Sequence, residues 1–154
     1  MTEPFDAYIV AAIRWAEARI GSRDYALRCL AFVEDAYEQA NRIELFGGSS
    51  ATESALEYGA SANVALEPPP GAFVFYACAG LIDGQPHDWG HVGLCCGDGQ
   101  VLHAWDQVRR DDYRVVETLT PAPTWEAPRF IGWSPVERVL AGYRPRIWSA
   151  GAQA

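Results

Sequence analysis

A chain of 154 residues is long enough to bury a core without a disulfide or metal staple, and short enough to be read as one domain over 1–154. Its 49% hydrophobic and 21% charged residues describe a folded globule and exclude a disordered segment. A net charge of −8 speaks against non-specific binding to nucleic acid or to an anionic membrane. Both reward clustered basic residues, and the one basic pair, Arg109-Arg110, is followed at once by Asp111-Asp112.

Residues 1–21 do not read as a secretion signal, because Glu3 and Asp6 stand where positive charge is needed and Arg14 interrupts the apolar run, so a cytoplasmic location is expected. In such a compartment the four cysteines are expected as free thiols, and the adjacent Cys95 and Cys96 make a poor bridge. Along the chain, 8–20 places Ile9, Ile13, Ala16 and Ile20 on one helical face before Gly21. Next, 22–41 predicts a second helix capped by Ser22 or Asp24, with Leu30, Val33 and Tyr37 as its buried stripe and Cys29 near its start. Glu34, Asp35 and Glu38 read as its exposed face. The stretch 46–50 is a loop, 51–59 a short helix, and "EPPPG" a break that no helix crosses.

From Ala72 onward the grammar changes to short apolar runs bounded by turn residues. "AFVFYA", "HVGLCC", "QVLHAW", "YRVVETL" and "RFIGW" are predicted strands. Gly97-Asp98-Gly99 joins 91–96 to 100–105 as an antiparallel hairpin. Helices first and a meandering sheet after them make an α+β domain.

Period two places His91, Gly93 and Cys95 on one face of the hairpin, and His103 on a face with Val101 and Trp105, so the two histidines are neighbours across or diagonally. Three readings compete. Zinc needs four ligands, and His91, Cys95 and His103 supply at most three in a spacing unlike the common signatures. Two hydrogen-bonded histidines half buried in the sheet would be a structural feature. The third reading joins them to Cys29. A thiol at a helix N-terminus sits in a field that favours thiolate, a histidine within reach can take its proton, and a further polar residue can fix that histidine's tautomer. On this reading the Cys29 thiol has a lowered pKa and lies on a helix packed against the strands of His91 and His103.

The ordered series "YALRCLAFVEDAY", "PPPGAFVFY", "HVGLCCGDG" and "VLHAW" resembles the NlpC-type cysteine peptidases, papain-like amidases that cut γ-glutamyl links in bacterial cell-wall peptides. The likeness spans about residues 15 to 140. It implies a papain-like α+β fold, with Cys29 as nucleophile, His91 as base and His103 as the orienting third member. Where the family has Asp-Cys-Ser-Gly, this chain has Arg28-Cys29-Leu30-Ala31, closer to the cysteine, histidine-dependent amidohydrolases. Ala72 replaces the acidic residue that follows Pro-Gly in the family. Tyr25 is the candidate for the tyrosine that helps form the oxyanion hole there. The order of Cys before His separates the chain from the permuted acyltransferase relatives.

Trp89 and Trp105 flank the histidine hairpin and are candidate walls of a substrate pocket, whereas Trp15, Trp133 and Trp148 read as packing residues. The run "RRDD" reads as solvated surface, with Asp106 near enough to His103 to touch the site. Two functions follow. One is an amide hydrolase or acyl transferase that works through a thioester on Cys29, needs no cofactor, and acts on a small peptide such as a peptidoglycan-derived γ-glutamyl amide. The other is a silent member of the same fold that binds a ligand or partner without turnover, a reading kept open by Leu30-Ala31 beside the cysteine.

Overall fold

The computed structural model describes residues 5–26, 28–45 and 48–145, so Glu3 and Trp148 lie outside the described residues. α1 (Asp6–Glu17) ends before the apolar pattern does, because Arg19 and Ile20 N–H groups turn back to the carbonyls of Ala16 and Glu17 in tighter turns. Ile20, past the helix end, is 47% exposed and is not part of the buried face. That face is built from Ala12 and Ala16, whose small side chains let α1 lie close against α2 (Cys29–Asn41).

α2 starts at Cys29, not at Ser22 or Asp24. The Gly21 N–H donates to Val108 O and the Val108 N–H to Ser22 O, both at 2.8 Å, which ties this stretch to a strand. Ser22 Oγ caps only a local turn by accepting from the Asp24 N–H, and the Tyr25 ring packs against both Trp15 and Phe32. The N-cap, Arg28, gives no side-chain capping bond, so the first N–H groups of α2 remain for other acceptors at the Cys29 end. Phe32, Val33, Ala36 and Tyr37 form the buried stripe, while Leu30 is only half-buried. Arg42 closes the helix in the left-handed conformation before β1 (Ile43–Glu44). α3 (Ala51–Glu57) follows, capped by Ser50 Oγ, which accepts from the Glu53 N–H at 3.2 Å.

The strands are β2 (Phe73–Ala77), β3 (Ala79–Ile82), β4 (Gln85–Asp88), β5 (His91–Gly97), β6 (Gln100–Ala104), β7 (Val108–Asp112), β8 (Arg129–Ser134) and, after α4 (Val136–Val139), β9 (Arg144–Pro145). Five of them form an antiparallel sheet in the order β7-β6-β5-β2-β8. β3 and β4 make a separate hairpin around Asp83-Gly84, and β1 pairs with β9. The chain is therefore α+β, with N-terminal helices on a C-terminal antiparallel sheet.

One predicted strand is misplaced. Within 113–119, Val115–Thr118 is a 3-10 turn, and the strand is the charged run that precedes it, β7. β7 is an edge strand, and charge on an edge is what keeps it from pairing with other chains, so an apolar pattern is not to be expected there. Its Arg110 is also ion-paired with Glu17 of α1.

The sheet is covered on both faces. Phe73, Phe75, Val92, Leu94 and Leu102 pack under the helices, while Val74, Tyr76, Cys95 and Val101 join Tyr113, Val116 and Trp133 in a second core. This two-sided burial explains why "AFVFYA" is continuously apolar. No helix among the described residues is long and apolar enough to cross a membrane.

Candidate active site

A cavity of about 1140 Å³ opens where β5 and α2 begin and β6 ends. Cys29, His91, Trp89 and Trp105 all line it. The β3–β4 hairpin contributes Leu81 and Ile82, and the segment 118–125 supplies a further wall. The pleat sends Val92 into the core under α2 and turns His91 toward Tyr76 on the other face. Cys29 and His91 share a cavity because α2 starts at the end of the sheet, where the N–H of Val92 faces the Cys29 sulfur.

His91 and His103 are buried, at 4% and 0% exposure, and joined at 2.8 Å through His91 Nε2 and His103 Nδ1. His103 Nε2 lies 2.8 Å from Asp111 Oδ2, which also accepts from Arg109 Nε at 2.8 Å. The His91 ring meets Trp105 edge-on at 5.2 Å between centroids. Among the described residues, no hydrogen bond is made by His91 Nδ1 or joins the Cys29 sulfur to His91.

Electrostatics depart from the sequence expectation at the thiol. Burial pushes Cys29 up to about 11, outweighing the N–H groups of Val92, Leu30 and Cys29 itself that favour thiolate. Cys29 as a residue is nevertheless half-buried and lines the cavity. Burial, followed by the charge of His103, holds His91 well below its ordinary 6.5. Burial thus disfavours charge on both Cys29 and His91, and the lowered thiol pKa expected from a helix N-terminus and a histidine partner is overturned by desolvation. Burial likewise lowers His103 against the pull of Asp111. For Asp111, burial alone would raise the pKa, but the bonds from His103 and Arg109 carry it below the usual carboxylate range.

The other candidates fall as follows. Trp89 and Trp105 are half-buried cavity walls, with indole N–H groups donated to Gly80 O and Thr120 O. Trp133 packs in the second core, and Trp15, partly buried, packs against the main one. Tyr25 does not reach the cavity of Cys29. Its hydroxyl donates to Asp35 Oδ2 at 2.7 Å, and its ring lines a separate, smaller pocket with Trp15 and Arg19. Asp106 borders the cavity, 69% exposed, and pairs with Arg109 at 3.6 Å. Cys95 turns into the second core and donates to Pro68 O at 3.4 Å. Among the described residues no three His, Cys, Asp or Glu side chains converge as a ligand set.

Two residues escaped the sequence reading. Asp111, part of the run expected as solvated surface, sits under His103, and strand parity points to it. Once 108–112 is a strand with His103 opposite Arg109, Asp111 is the diagonal neighbour of His103. Glu34, taken as exposed, lines the cavity, where burial and the charges of Glu38 and Asp35 push its carboxyl up to about 7. Asp35 and Glu38 are occupied too, accepting from Tyr25 and from the Leu45 N–H. The one sequence signal for these roles is that all three acids share a helix whose opposite face is core.

No family model and no curated protein matches the chain. Among solved structures it is similar to NlpC1 from Trichomonas vaginalis, with a TM-score of 0.48 and 16% identity over 87% of this chain and 47% of that one. The chain therefore spans about half the length of that protein, and at this level the likeness concerns the course of the backbone and says nothing of its chemistry.

Proposed function

We propose that this chain is a cysteine-dependent amidohydrolase that uses Cys29 as nucleophile, His91 as base and His103 as the residue orienting His91. The observation that carries the reading is that Cys29 and His91, from separate elements, line one cavity while His91 Nε2 is engaged by His103, leaving Nδ1 for the thiol. In the reaction His91 Nδ1 takes the proton from Sγ as the sulfur attacks the amide carbonyl. The N–H groups of Val92, Leu30 and Cys29, which already face the sulfur, are the candidate donors to the developing oxyanion. The C–N bond breaks as the imidazolium returns its proton to the leaving amine. Water, deprotonated by the same nitrogen, then attacks the thioester, the C–S bond breaks to release the acid, and the proton returns from His91 to the Cys29 sulfur. Burial that disfavours charge on both groups fits general-base attack, in which charge separates only once substrate is bound, and catalytic bonds that are long or absent without substrate are common.

Resemblance to the NlpC-type peptidases directs the substrate toward a γ-glutamyl-type amide, and the Trp-walled cavity has room for a short peptide. A second reading, a binding module without turnover, draws on the raised thiol and the missing Cys29–His91 bond. The two separate on a digest of peptidoglycan peptides followed by mass spectrometry. The hydrolase consumes γ-glutamyl-linked peptides, and Cys29→Ala does not. Equal inertness of both proteins toward the digest, with peptide retained on them, favours the module.

A further inference from the structure

We infer that Asp111, held by Arg109, is a positioning residue that sets the tautomers of both histidines, so that His91 presents a bare Nδ1 to the cavity. The inference rests on the proposed role of His91 and adds to it a residue two bonds away.

An ionised carboxylate only accepts, so the 2.8 Å contact between Asp111 Oδ2 and His103 Nε2 places a hydrogen on Nε2. A neutral imidazole carries one N–H, which makes His103 Nδ1 an acceptor. The 2.8 Å contact from His103 Nδ1 to His91 Nε2 then needs its hydrogen from His91. With Nε2 protonated and the ring neutral, His91 Nδ1 has a free lone pair, the state a base requires.

The alternative has the opposite consequence. If His103 were an imidazolium, both its nitrogens would donate, His91 Nε2 would accept, and His91 Nδ1 would carry the hydrogen and be useless as a base. A carboxylate beside a buried histidine invites that outcome, and Arg109 counters it. Its Nε–H occupies the same oxygen at 2.8 Å, and its charge opposes a second cation next to His103, which is wholly buried. Asp111 thus orients His103 without ionising it. The groups that face the His103–Asp111 contact are Arg109 from β7 itself, Asp106 from the turn before it and His91 from β5.

Nitrogen-15 correlation spectra of the histidine rings test this without any substrate, with His87→Gln used to remove the third histidine's signals. In the otherwise unaltered protein both His91 and His103 should show a protonated Nε2 and a bare Nδ1. Asp111→Ala removes the acceptor that holds the hydrogen on His103 Nε2, so the single pattern should be lost, with a hydrogen appearing on His103 Nδ1 and, in step, on His91 Nδ1. Asp111→Asn, whose carbonyl can still accept both bonds, should restore the original pattern. A spectrum of the Asp111 protein with Nδ1 protonated on His91 overturns the inference by itself, whether or not the alanine variant folds. So does an unchanged pattern in a folded Asp111→Ala protein. Acylation of Cys29 should fall by roughly ten- to a hundred-fold in Asp111→Ala, as for other carboxylates that orient a functional histidine. The expected tautomers in a protein inert toward every amide would keep Asp111 as a positioning residue and remove the proposed hydrolase.

Discussion

His91→Ala is expected to slow acyl transfer to Cys29 by roughly 10²- to 10⁴-fold, the usual weight of a positioned general base. With the thiol pushed up to about 11, roughly one sulfur in ten thousand would be thiolate at pH 7, so attack by preformed thiolate is starved. The proton must leave during attack, and the ring that shares the cavity with the sulfur is His91. Since His91 titrates well below 6.5, it remains neutral and able to accept down through mildly acidic pH. The rate should therefore fall only as pH drops below that range, where the imidazole becomes charged and loses its lone pair. Release of p-nitrophenolate from p-nitrophenyl acetate measures the effect, and thermal unfolding checks that the variant is folded. Rates within twofold of the parent would remove His91 from the mechanism.

Gly132→Ala should cost about 4 kcal/mol of stability, a large part of the roughly 5–15 kcal/mol that holds a domain together. Gly132 has φ 139°, a region that L-residues avoid at a cost of about 1–3 kcal/mol. A Cβ there would overlap the carbonyl oxygen of Ala60 and come within 2.7 Å of its carbonyl carbon. Backbone cannot rotate away as a side chain can, so overpacking adds about 1–3 kcal/mol. The site lies where β8 is irregular. Gly132 pairs with Phe75 and Phe130 with Tyr76, leaving Ile131 as an extra residue. The bulge brings β8 against the turn 60–62 that follows α3. The urea midpoint reads the loss, and a change under about 1 kcal/mol would mean that this turn yields freely.

What could be read from the chain and what could not divides along physical lines. The hairpin carrying His91 and His103 was legible because alternating apolar residues and Gly97-Asp98-Gly99 are local signals, and the structure pairs β5 with β6. Cys29 near a helix start was legible, but its place as the first helical residue was not. That depends on Gly21 and Ser22 being drawn to Val108 on β7, a contact some 86 residues away in sequence. β7 itself was invisible to a search for apolar runs, since an edge strand shows solvent its charges. Asp111 was lost with it. The direction of the thiol shift was misread for a related reason. A helix N-terminus and a histidine are visible in a sequence, whereas the burial of Cys29 where the start of α2 meets the start of β5 is not. Tyr25 shows the same limit, since its hydroxyl is spent on Asp35, ten residues on and on the next helix.

The central claim is that Cys29 carries an acyl group through a thioester. The chain contains no lysine, so no ε-amine competes for an activated acyl donor, and the signal is simple to interpret. The protein should be exposed briefly to p-nitrophenyl acetate, quenched in acid and mapped by peptide mass. One acetyl group is expected on Cys29 and none on Cys78, Cys95 or Cys96, and it should disappear in His91→Ala. Acetyl spread over all four thiols, or on Cys29 to the same extent with and without His91, would contradict the claim.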